Sequence, residues 1–323
     1  MIFSTVSEFG GPDVLRTQSR PDPEPGVHEV LIRVRAAGVN RADLLQREGR
    51  YPPPPGAPAW PGLEVAGVVS AVGSGVTSWA VGDEVCALLA GGGYADAVTV
   101  HEDLVLPVPA GLTWEEAGGL VEAACTVWSN LQAADARPGE TLLVQGGSGG
   151  VGHLAIQIAV AAGMRVLATA GGPERVSRCE VLGAVGIDHR EGEVSATVRE
   201  LGGADVILDV LGAGALEDNL RCLRPDGRLL VIGMQRGARG ELDLGRLLSL
   251  RARVIGTTLR ARPHDQKAAI VRSVREDVWP WIPSQVRPVV HAAVPLERAG
   301  DAHRLLESGE VFGKVVLTPP VPA

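Results

Sequence analysis

Hydrophobic and polar residues alternate through the first third of the chain, and glycine and proline separate the alternating segments. Residues 29–39, EVLIRVRAAGV, carry the clearest alternation, which is typical of a strand with one buried face. Similar segments occupy residues 63–76, 83–89 and 94–100, and the last two flank a run of glycines, which predicts a hairpin-like pair. Because no helical segment intervenes between these strands, we predict an antiparallel, β-rich domain.

The pattern changes to helical spacing at residue 112. Apolar residues recur at helical spacing through 112–134, and Thr113 with Glu116 fits a capping box, which predicts a helix there. From residue 141 onward, short apolar runs alternate with helical segments, an order typical of βαβ units and a parallel sheet. The predicted elements are strands at 141–146, 165–170, 185–189, 204–212, 227–234, 252–258 and 314–318, and helices at 150–163, 173–183, 265–276 and 297–308.

Composition adds limits on size, partners and compartment. A chain of 323 residues is long enough for about two domains. Its net charge of −8 argues against nucleic acid or an anionic membrane as the main partner, and no apolar run is long enough to span a bilayer. The N-terminus lacks the pattern of a signal peptide, so we expect a cytoplasmic protein. With no close pair among them, the cysteines are predicted to be free, buried thiols: Cys86, Cys125, Cys179 and Cys222.

A glycine-rich loop joins the predicted strand at 141–146 to the predicted helix at 150–163. Its glycines follow the spacing G-x-x-G-x-x-G, and the strand–loop–helix context makes a dinucleotide-binding loop the favoured interpretation over a plain tight turn. Glycine lets the backbone approach a pyrophosphate, and the helix N-terminus offers N–H groups and partial positive charge. The predicted cofactor contacts of this loop are Gly146, Ser148, Gly149, Gly150, Val151 and Gly152.

The end of the next predicted strand indicates which dinucleotide binds. A site that prefers NAD places an acidic residue at this strand tip, where it binds the ribose hydroxyls. Here the sequence is ATAGGPER (168–175), without an acid at the tip, and Arg175 and Arg178 follow in the next helix. An arginine in this position can bind a 2′-phosphate through charge-assisted hydrogen bonds. We therefore predict NADP(H) with Arg175 as a contact, and a solvated helix face is the alternative for both arginines.

Six stretches together carry a resemblance to a known family: GVNRADLLQREGRYPPPPGAP (38–58), PGLEVAGVV (61–69), VGDEVCALLAGGGYADAVTV (81–100), QGGSGGVG (145–152), DVILDVLG (205–212) and GKVVL (313–317). The chain resembles zinc-free members of the medium-chain dehydrogenase/reductase superfamily, in the NADPH:quinone oxidoreductase (zeta-crystallin-like) branch. The resemblance implies an α/β fold in which a Rossmann doubly wound parallel sheet (124–258) is inserted in a GroES-like, β-rich catalytic domain (1–123 and 259–323). It also implies an active site in the cleft between the domains, and a homodimer formed through edge strands such as 252–258.

The same resemblance allows zinc to be examined directly. Zinc-dependent members carry cysteine where this chain has Asn40 and histidine where it has Leu63, and only the following Glu64 is retained. A leucine side chain cannot ligate a metal, whereas catalytic zinc needs three protein ligands. The seven histidines are scattered, and none pairs with another at ligand spacing in the sequence. We therefore expect no metal.

The family's functional positions can be carried over residue by residue. Asn40 matches an active-site asparagine, and Tyr51 resembles a tyrosine that contacts cofactor or substrate and donates a proton in related enoyl-thioester reductases. The alternatives are a turn residue for Asn40 and a packing ring for Tyr51. The cofactor contacts implied by the resemblance are Thr126 near the nicotinamide ribose, Gly233 and Met234 beside the nicotinamide, His189 near the adenosine ribose phosphate, and Lys314 from the C-terminal strand.

These observations favour one function and leave two alternatives open. Without a metal Lewis acid, hydride transfer from NADPH to an electron-poor acceptor is easier than alcohol oxidation, so the favoured function is a zinc-independent quinone oxidoreductase acting on a small quinone. The first alternative is a reductase of activated carbon–carbon double bonds, including enones and enoyl thioesters. The second is an NADPH-binding protein with little catalysis.

Overall fold

The computed structural model describes residues 1–320, and the chain divides into two compact units. The split unit contains residues 1–125 and the residues from 259 onward, and the inserted unit contains residues 126–258. The boundary expected after residue 123 falls inside a helix that spans the junction at 125/126. None of the helices within residues 1–320 is long and apolar enough to cross a membrane.

The N-terminal part of the split unit is dominated by strands. A two-stranded antiparallel hairpin, which the sequence pattern did not predict, precedes the main sheet. The strand predicted at 29–39 is confirmed with the same bounds and pairs antiparallel with three other strands of the sheet. The elements of this part are β1 (Ile2–Val6), β2 (Leu15–Ser19), β3 (Glu29–Val39), α1 (Arg41–Arg47), β4 (Glu64–Val72), β5 (Glu84–Leu88), β6 (Ala97–His101), β7 (Val105–Pro107), α2 (Trp114–Gly118) and α3 (Val121–Ala133).

The inserted unit is a six-stranded, fully parallel sheet with helices in its connections. Its elements are β8 (Thr141–Val144), α4 (Gly152–Ala161), β9 (Arg165–Ala170), α5 (Pro173–Val181), β10 (Val185–Asp188), α6 (Val194–Glu200), β11 (Ala204–Asp209), α7 (Leu216–Cys222), β12 (Leu223–Val231), α8 (Leu244–Leu250) and β13 (Arg253–Gly256). The spatial order β10-β9-β8-β11-β12-β13 is the doubly wound order of a dinucleotide-binding sheet, which confirms the predicted Rossmann fold.

The C-terminal residues return to the split unit and complete its sheet. Their elements are α9 (His264–Ser273), β14 (Val290–Pro295), α10 (Ala299–Glu307) and β15 (Lys314–Thr318). β15 pairs antiparallel with β3 and parallel with β14, so the order is β14-β15-β3-β4-β5-β7, with β6 also paired to β3. The largely antiparallel sheet confirms the predicted β-rich domain.

Two local predictions were wrong. The segments 83–89 and 94–100 do not form a hairpin, because β5 pairs with β4 and β7 whereas β6 pairs with β3. The helix predicted through 112–134 is divided into α2 and α3. A Cβ at Gly118 would lie 2.6 Å from the Cβ of Ala36 on β3, and a Cβ at Gly119 would lie 3.2 Å from Lys314 on β15, so α2 ends on two glycines that allow close packing against these strands. The capping box of Thr113 and Glu116 is confirmed.

The core of the inserted unit explains why its strands were easy to predict. Leu167, Leu143, Ile207 and Leu229 lie at paired positions on four adjacent strands, and all four are fully buried. Helical connections cover both faces of such a sheet, so its strands are continuous apolar runs rather than alternating ones. All four cysteines are free and buried, as predicted.

Candidate functional site

The glycine loop joins β8 to α4 at the carboxyl end of the inserted sheet. Gly146 adopts φ +74°, a left-handed conformation that favours glycine, and the Gly149 N–H donates to the Gly146 carbonyl at 3.0 Å. A Cβ at Gly152 would overlap the Gly146 carbonyl oxygen, so the start of α4 requires a glycine. No side chain caps α4 at Val151. Its first N–H groups therefore suit an anionic ligand.

Three buried polar side chains support this loop from beneath, and the sequence pattern did not single them out. Thr169 on β9 accepts a hydrogen bond from the Gly146 N–H at 3.0 Å and donates to Gln145 Oε1 at 2.9 Å. Gln145 Nε2 in turn donates to Asn219 Oδ1 at 2.8 Å. Because this network is buried, it fixes the conformation of the loop before any ligand binds.

A basic group lies over the end of β9. A Cβ at Gly171 would be 3.0 Å from His189 Nε2 and 3.1 Å from Arg190 Nε, and a Cβ at Gly172 would be 3.2 Å from an Arg190 guanidinium nitrogen. The two glycines therefore make room for both side chains. Arg175, the arginine predicted as a phosphate contact, is half-buried in the first turns of α5, which begins directly after these glycines.

Asp188, the acidic residue that precedes His189 and Arg190 in the chain, accepts hydrogen bonds from the backbone. Asp188 Oδ1 accepts hydrogen bonds from the N–H groups of Gly172 at 3.0 Å and Arg190 at 2.9 Å, and these bonds lower the pKa of Asp188. Within residues 1–320 no carboxylate forms a salt bridge with the Arg190 guanidinium. Arg190 was not among the predicted contacts, although it follows the predicted strand at 185–189 directly.

Gly233, a predicted cofactor contact after β12, lies beside Val210, which also borders Gly146 of the glycine loop. A Cβ at Gly233 would be 2.7 Å from the Val210 carbonyl oxygen, and a Cβ at Gly146 would be 3.3 Å from Val210 Cγ2. Gly146, Val210 and Gly233 therefore converge at the ends of β8, β11 and β12, where the strand order reverses between β8 and β11. Ligands of doubly wound sheets bind at this position. Met234, the next residue, is 60% exposed.

In the split unit, Asn40 belongs to a buried network with Glu64 and Lys314. The Lys314 ammonium donates to Glu64 Oε1 and to Asn40 Oδ1, both at 2.6 Å. Asn40 Nδ2 donates to Glu64 Oε1 at 2.9 Å, and Glu64 Oε2 accepts from the Glu122 N–H at 3.1 Å. Because the Lys314 ammonium can only donate hydrogen bonds, the Asn40 atom that it contacts must be the amide oxygen, and this fixes the orientation of the Asn40 amide. A side chain at Gly38 would overlap the Glu64 carboxylate.

The Lys314 side chain is 1% exposed in this network, and that of Glu64 is 0% exposed. The structure thus gives the ammonium two protein partners, and the cofactor contact expected for Lys314 stays a prediction. A buried charge is tolerated only where a partner and hydrogen bonds compensate its loss of hydration. Lys314 is therefore the residue that makes burial of Glu64 possible.

Asp43 connects the start of α1 to a second buried network. Its carboxylate accepts from the N–H of Asn40 at 2.8 Å, the N–H of Gly62 at 2.9 Å and the hydroxyl of Tyr94 at 3.3 Å. Burial raises the pKa of Asp43 to about 6, although the two backbone bonds oppose that shift. The Tyr94 hydroxyl also lies 2.9 Å from His303 Nε2, and burial lowers the pKa of His303 to about 3. These contacts hold the backbone of Asn40 in place.

Tyr51 lies on the proline-rich loop and is held by a buried arginine. The Arg260 guanidinium is 5.2 Å from the centre of the Tyr51 ring and donates to the Tyr51 carbonyl at 3.3 Å. Arg260 also donates to Gln46 Oε1 at 2.6 Å and to the Ala90 carbonyl at 2.7 Å. Tyr51 itself is half-buried, and no protein group in the part of the chain that the structure describes hydrogen-bonds its hydroxyl.

Thr126 lies in α3 at the first residue of the inserted unit. It is half-buried, and its carbonyl accepts a hydrogen bond from Asn130 Nδ2 at 2.7 Å. Asn130 Oδ1 accepts from the Thr257 hydroxyl at 2.7 Å, so α3 is tied to the residue that follows β13. The predicted contact of Thr126 with a nicotinamide ribose stays a prediction.

Comparisons with known proteins agree with this architecture. Residues 26–110 match the family model of the alcohol dehydrogenase GroES-like domain, and residues 150–275 match that of zinc-binding dehydrogenases. Quinone oxidoreductase of Rattus norvegicus is 34% identical over 97% of this chain and 96% of its own length. The protein of the same name from Lama guanicoe is 36% identical with the same coverage.

Solved structures of quinone oxidoreductases superpose on this chain over nearly its whole length. The structure of Escherichia coli quinone oxidoreductase complexed with NADPH superposes with a TM-score of 0.88 at 29% identity, covering 99% of this chain and 100% of that one. The quinone oxidoreductase of Thermus thermophilus, solved alone and with NADPH, gives a TM-score of 0.85 at 35% identity, covering 98% of this chain and 100% of that one.

Proposed function

Because the chain belongs to the quinone oxidoreductases of the medium-chain dehydrogenase/reductase family, we propose that it is an NADPH-dependent reductase of small quinones that works without zinc. The chain is thus an oxidoreductase. The observation that carries the choice of cofactor is the basic group of Arg190, His189 and Arg175 around the end of β9, one strand away from the glycine loop.

The residues of the inserted unit fit an NADPH molecule. The uncapped N-terminus of α4 and the loop 146–152 would hold the pyrophosphate, and Gly233 would leave room beside the nicotinamide. Arg190 and Arg175 would hold the 2′-phosphate, because an arginine forms charge-assisted hydrogen bonds with phosphate oxygens. One carboxylate oxygen of Asp188, Oδ1, already accepts hydrogen bonds from two backbone N–H groups. When bound, NADPH supplies the hydride that, with one proton, reduces a quinone to a hydroquinone.

The residues at the family's zinc position do not fit a zinc ion. Asn40 offers a weak amide ligand, and Leu63 offers none and is buried. The Glu64 oxygen that remains is 2.6 Å from the Lys314 ammonium, which supplies the positive charge at this place. Catalytic zinc needs three protein ligands and an open position. We therefore assign no step of the reaction to a metal.

The split unit offers two donors for an acceptor oxygen. An amide nitrogen carries two hydrogens, and Asn40 Nδ2 uses one of them on Glu64. The second can donate to a quinone oxygen, and the bond from Lys314 to Asn40 Oδ1 polarises the amide and strengthens that donor. The Tyr51 hydroxyl is the second donor. Donors fixed in place before the reaction stabilise the negative charge that develops on the acceptor oxygen.

The proposal can be tested by steady-state kinetics with NADPH and NADH against quinones, enones and enoyl thioesters. We expect turnover with quinones, a much lower KM for NADPH than for NADH, and unchanged turnover after exhaustive dialysis against a chelator. Preference for enones or enoyl thioesters would identify a reductase of carbon–carbon double bonds. Tight NADPH binding without turnover would identify a binding protein, and activity restored only by zinc would refute metal independence.

We also propose that two copies pair through the inserted sheet. β13 is the last strand of that sheet, and among the described residues 1–320 it pairs only with β12. Val254 on this strand is 40% exposed, and an uncovered β-branched edge favours pairing with another strand. Light scattering should give a dimer for the native chain, and Val254→Lys should shift it towards the monomer. A monomer for the native chain would refute this assembly.

A further inference from the structure

Two histidines and an aspartate that are distant in the sequence meet on the surface of the split unit. Each of His101, Asp103 and His264 offers one ligand atom, and these atoms lie within 4.8 Å of one another. Asp103 Oδ2 is 3.3 Å from His264 Nε2 and 3.5 Å from His101 Nδ1. Sequence spacing gave no sign of this cluster, because His264 is 161 positions from Asp103. The fold therefore brings together two of the histidines that are scattered in the sequence.

Two of the three distances in this cluster match the edges of a metal coordination shell. Zinc bonds to imidazole nitrogen and carboxylate oxygen are about 2.0 to 2.2 Å long, so neighbouring ligand atoms of a tetrahedral site are roughly 3.3 to 3.6 Å apart. Two of the three pairs already have this separation. The side chains of His101, Asp103 and His264 are 34%, 50% and 46% exposed, so an ion can enter and water can complete its coordination.

The backbone around the cluster places the ligands in advance. His101 is the last residue of β6, Asp103 lies in the short turn that follows, and His264 is the first residue of α9. The rings of His101 and His264 have centroids 4.2 Å apart. The Asp103 N–H donates to His101 Nδ1 at 3.3 Å, so an ion ligated by this nitrogen would take the place of that hydrogen bond.

We propose that His101, Asp103 and His264 form a binding site for one divalent cation of the zinc type. Imidazole nitrogen suits zinc, copper, nickel and cobalt, whereas magnesium and calcium prefer oxygen ligands alone. The site shares no residue with the Asn40–Glu64–Lys314 network. A bound ion would join α9, from the C-terminal part of the split unit, to β6, from its N-terminal part. Its role is to stabilise the split unit, and the proposed quinone reduction does not depend on it.

Zinc and cobalt binding test the site on the tag-free full-length protein. Calorimetry with zinc chloride should give one site per chain with a dissociation constant in the micromolar range, and magnesium should give no binding. Cobalt should give the visible absorption of a nitrogen and oxygen site, without the near-ultraviolet band of thiolate ligation. Zinc should also raise the Tm of the native protein.

Variants separate this site from others. His264→Ala and Asp103→Asn should each weaken zinc binding at least tenfold and abolish the rise in Tm, whereas the exposed His291→Ala should bind zinc as the native protein does. Asp103→Asn keeps the shape of the side chain, so it provides the test if His264→Ala fails to fold. Unchanged zinc affinity in both variants, a thiolate band with cobalt, or no binding at about 1 mM zinc would overturn the proposal. These measurements need no turnover, so they stand apart from the test of the reductase function.

Discussion

Replacing Arg190 with alanine should separate the two nicotinamide cofactors. The guanidinium lies over Gly171 and Gly172, beside the helix that carries Arg175. A hydrogen bond to a charged group contributes about 1.5 to 3 kcal/mol. Arg190 is exposed, so we take the lower half of that range, and each 1.4 kcal/mol corresponds to about a tenfold change. The KM for NADPH should therefore rise about 10- to 40-fold, while the KM for NADH changes less than about twofold.

Initial rates at a saturating quinone concentration give both KM values, and fluorescence titration of NADPH without acceptor gives the binding constant directly. Arg251→Ala is the matched control, because Arg251 is an exposed arginine of the same unit that pairs with Asp226, away from the glycine loop. Equal increases for NADPH and NADH, or no increase for either, would refute the assignment of the 2′-phosphate site to Arg190.

Three further predictions concern the split unit. Lys314→Met leaves Glu64 buried without its cation, so urea denaturation should show a free energy of unfolding that is lower by about 3 to 5 kcal/mol. Adding Glu64→Gln should restore part of that loss, and a double variant whose two effects simply add would contradict the coupling between the residues. Asp43 has its pKa raised to about 6 in the folded state, above its unfolded value, so protonation favours folding. Relative to Asp43→Asn, the native protein should gain stability as pH falls from 7 to 4, by up to about 3 kcal/mol, and a pH-independent difference would refute the shift. Tyr51→Phe should reduce turnover with enones more than with quinones, because protonation of carbon is needed only for the former, and no effect on either would remove Tyr51 from the mechanism.

Sequence patterns correctly predicted the elements whose burial is evident from their own residues. The strands of the inserted unit were predicted because both faces are buried, as the row from Leu167 to Leu229 shows. The glycine loop was predicted because its function requires residues without side chains at fixed spacing. The pairing of β6 with β3 was not predicted, since strand pairing depends on distant residues. The break between α2 and α3 also depends on a distant residue, Ala36.

The residues of the candidate site were likewise predicted only in part. Asn40 and Glu64 were identified through a family motif, but their buried partner is supplied by Lys314, 250 positions after Glu64. Arg190 and the polar support of Gln145, Thr169 and Asn219 carry no local signature, because ordinary polar residues gain these roles only from the fold.

The distance in sequence between Glu64 and Lys314 also sets an order of events during synthesis. A ribosome adds about 5 to 20 residues per second, so the 250 intervening residues take roughly 13 to 50 s. Throughout that interval the Glu64 carboxylate lacks its cation, and β3 lacks its neighbour β15. The inserted unit is contiguous, and all its strands emerge before residue 259. It can therefore fold first, and the split unit, although it begins the chain, is the last part of the nascent protein to acquire its native sheet.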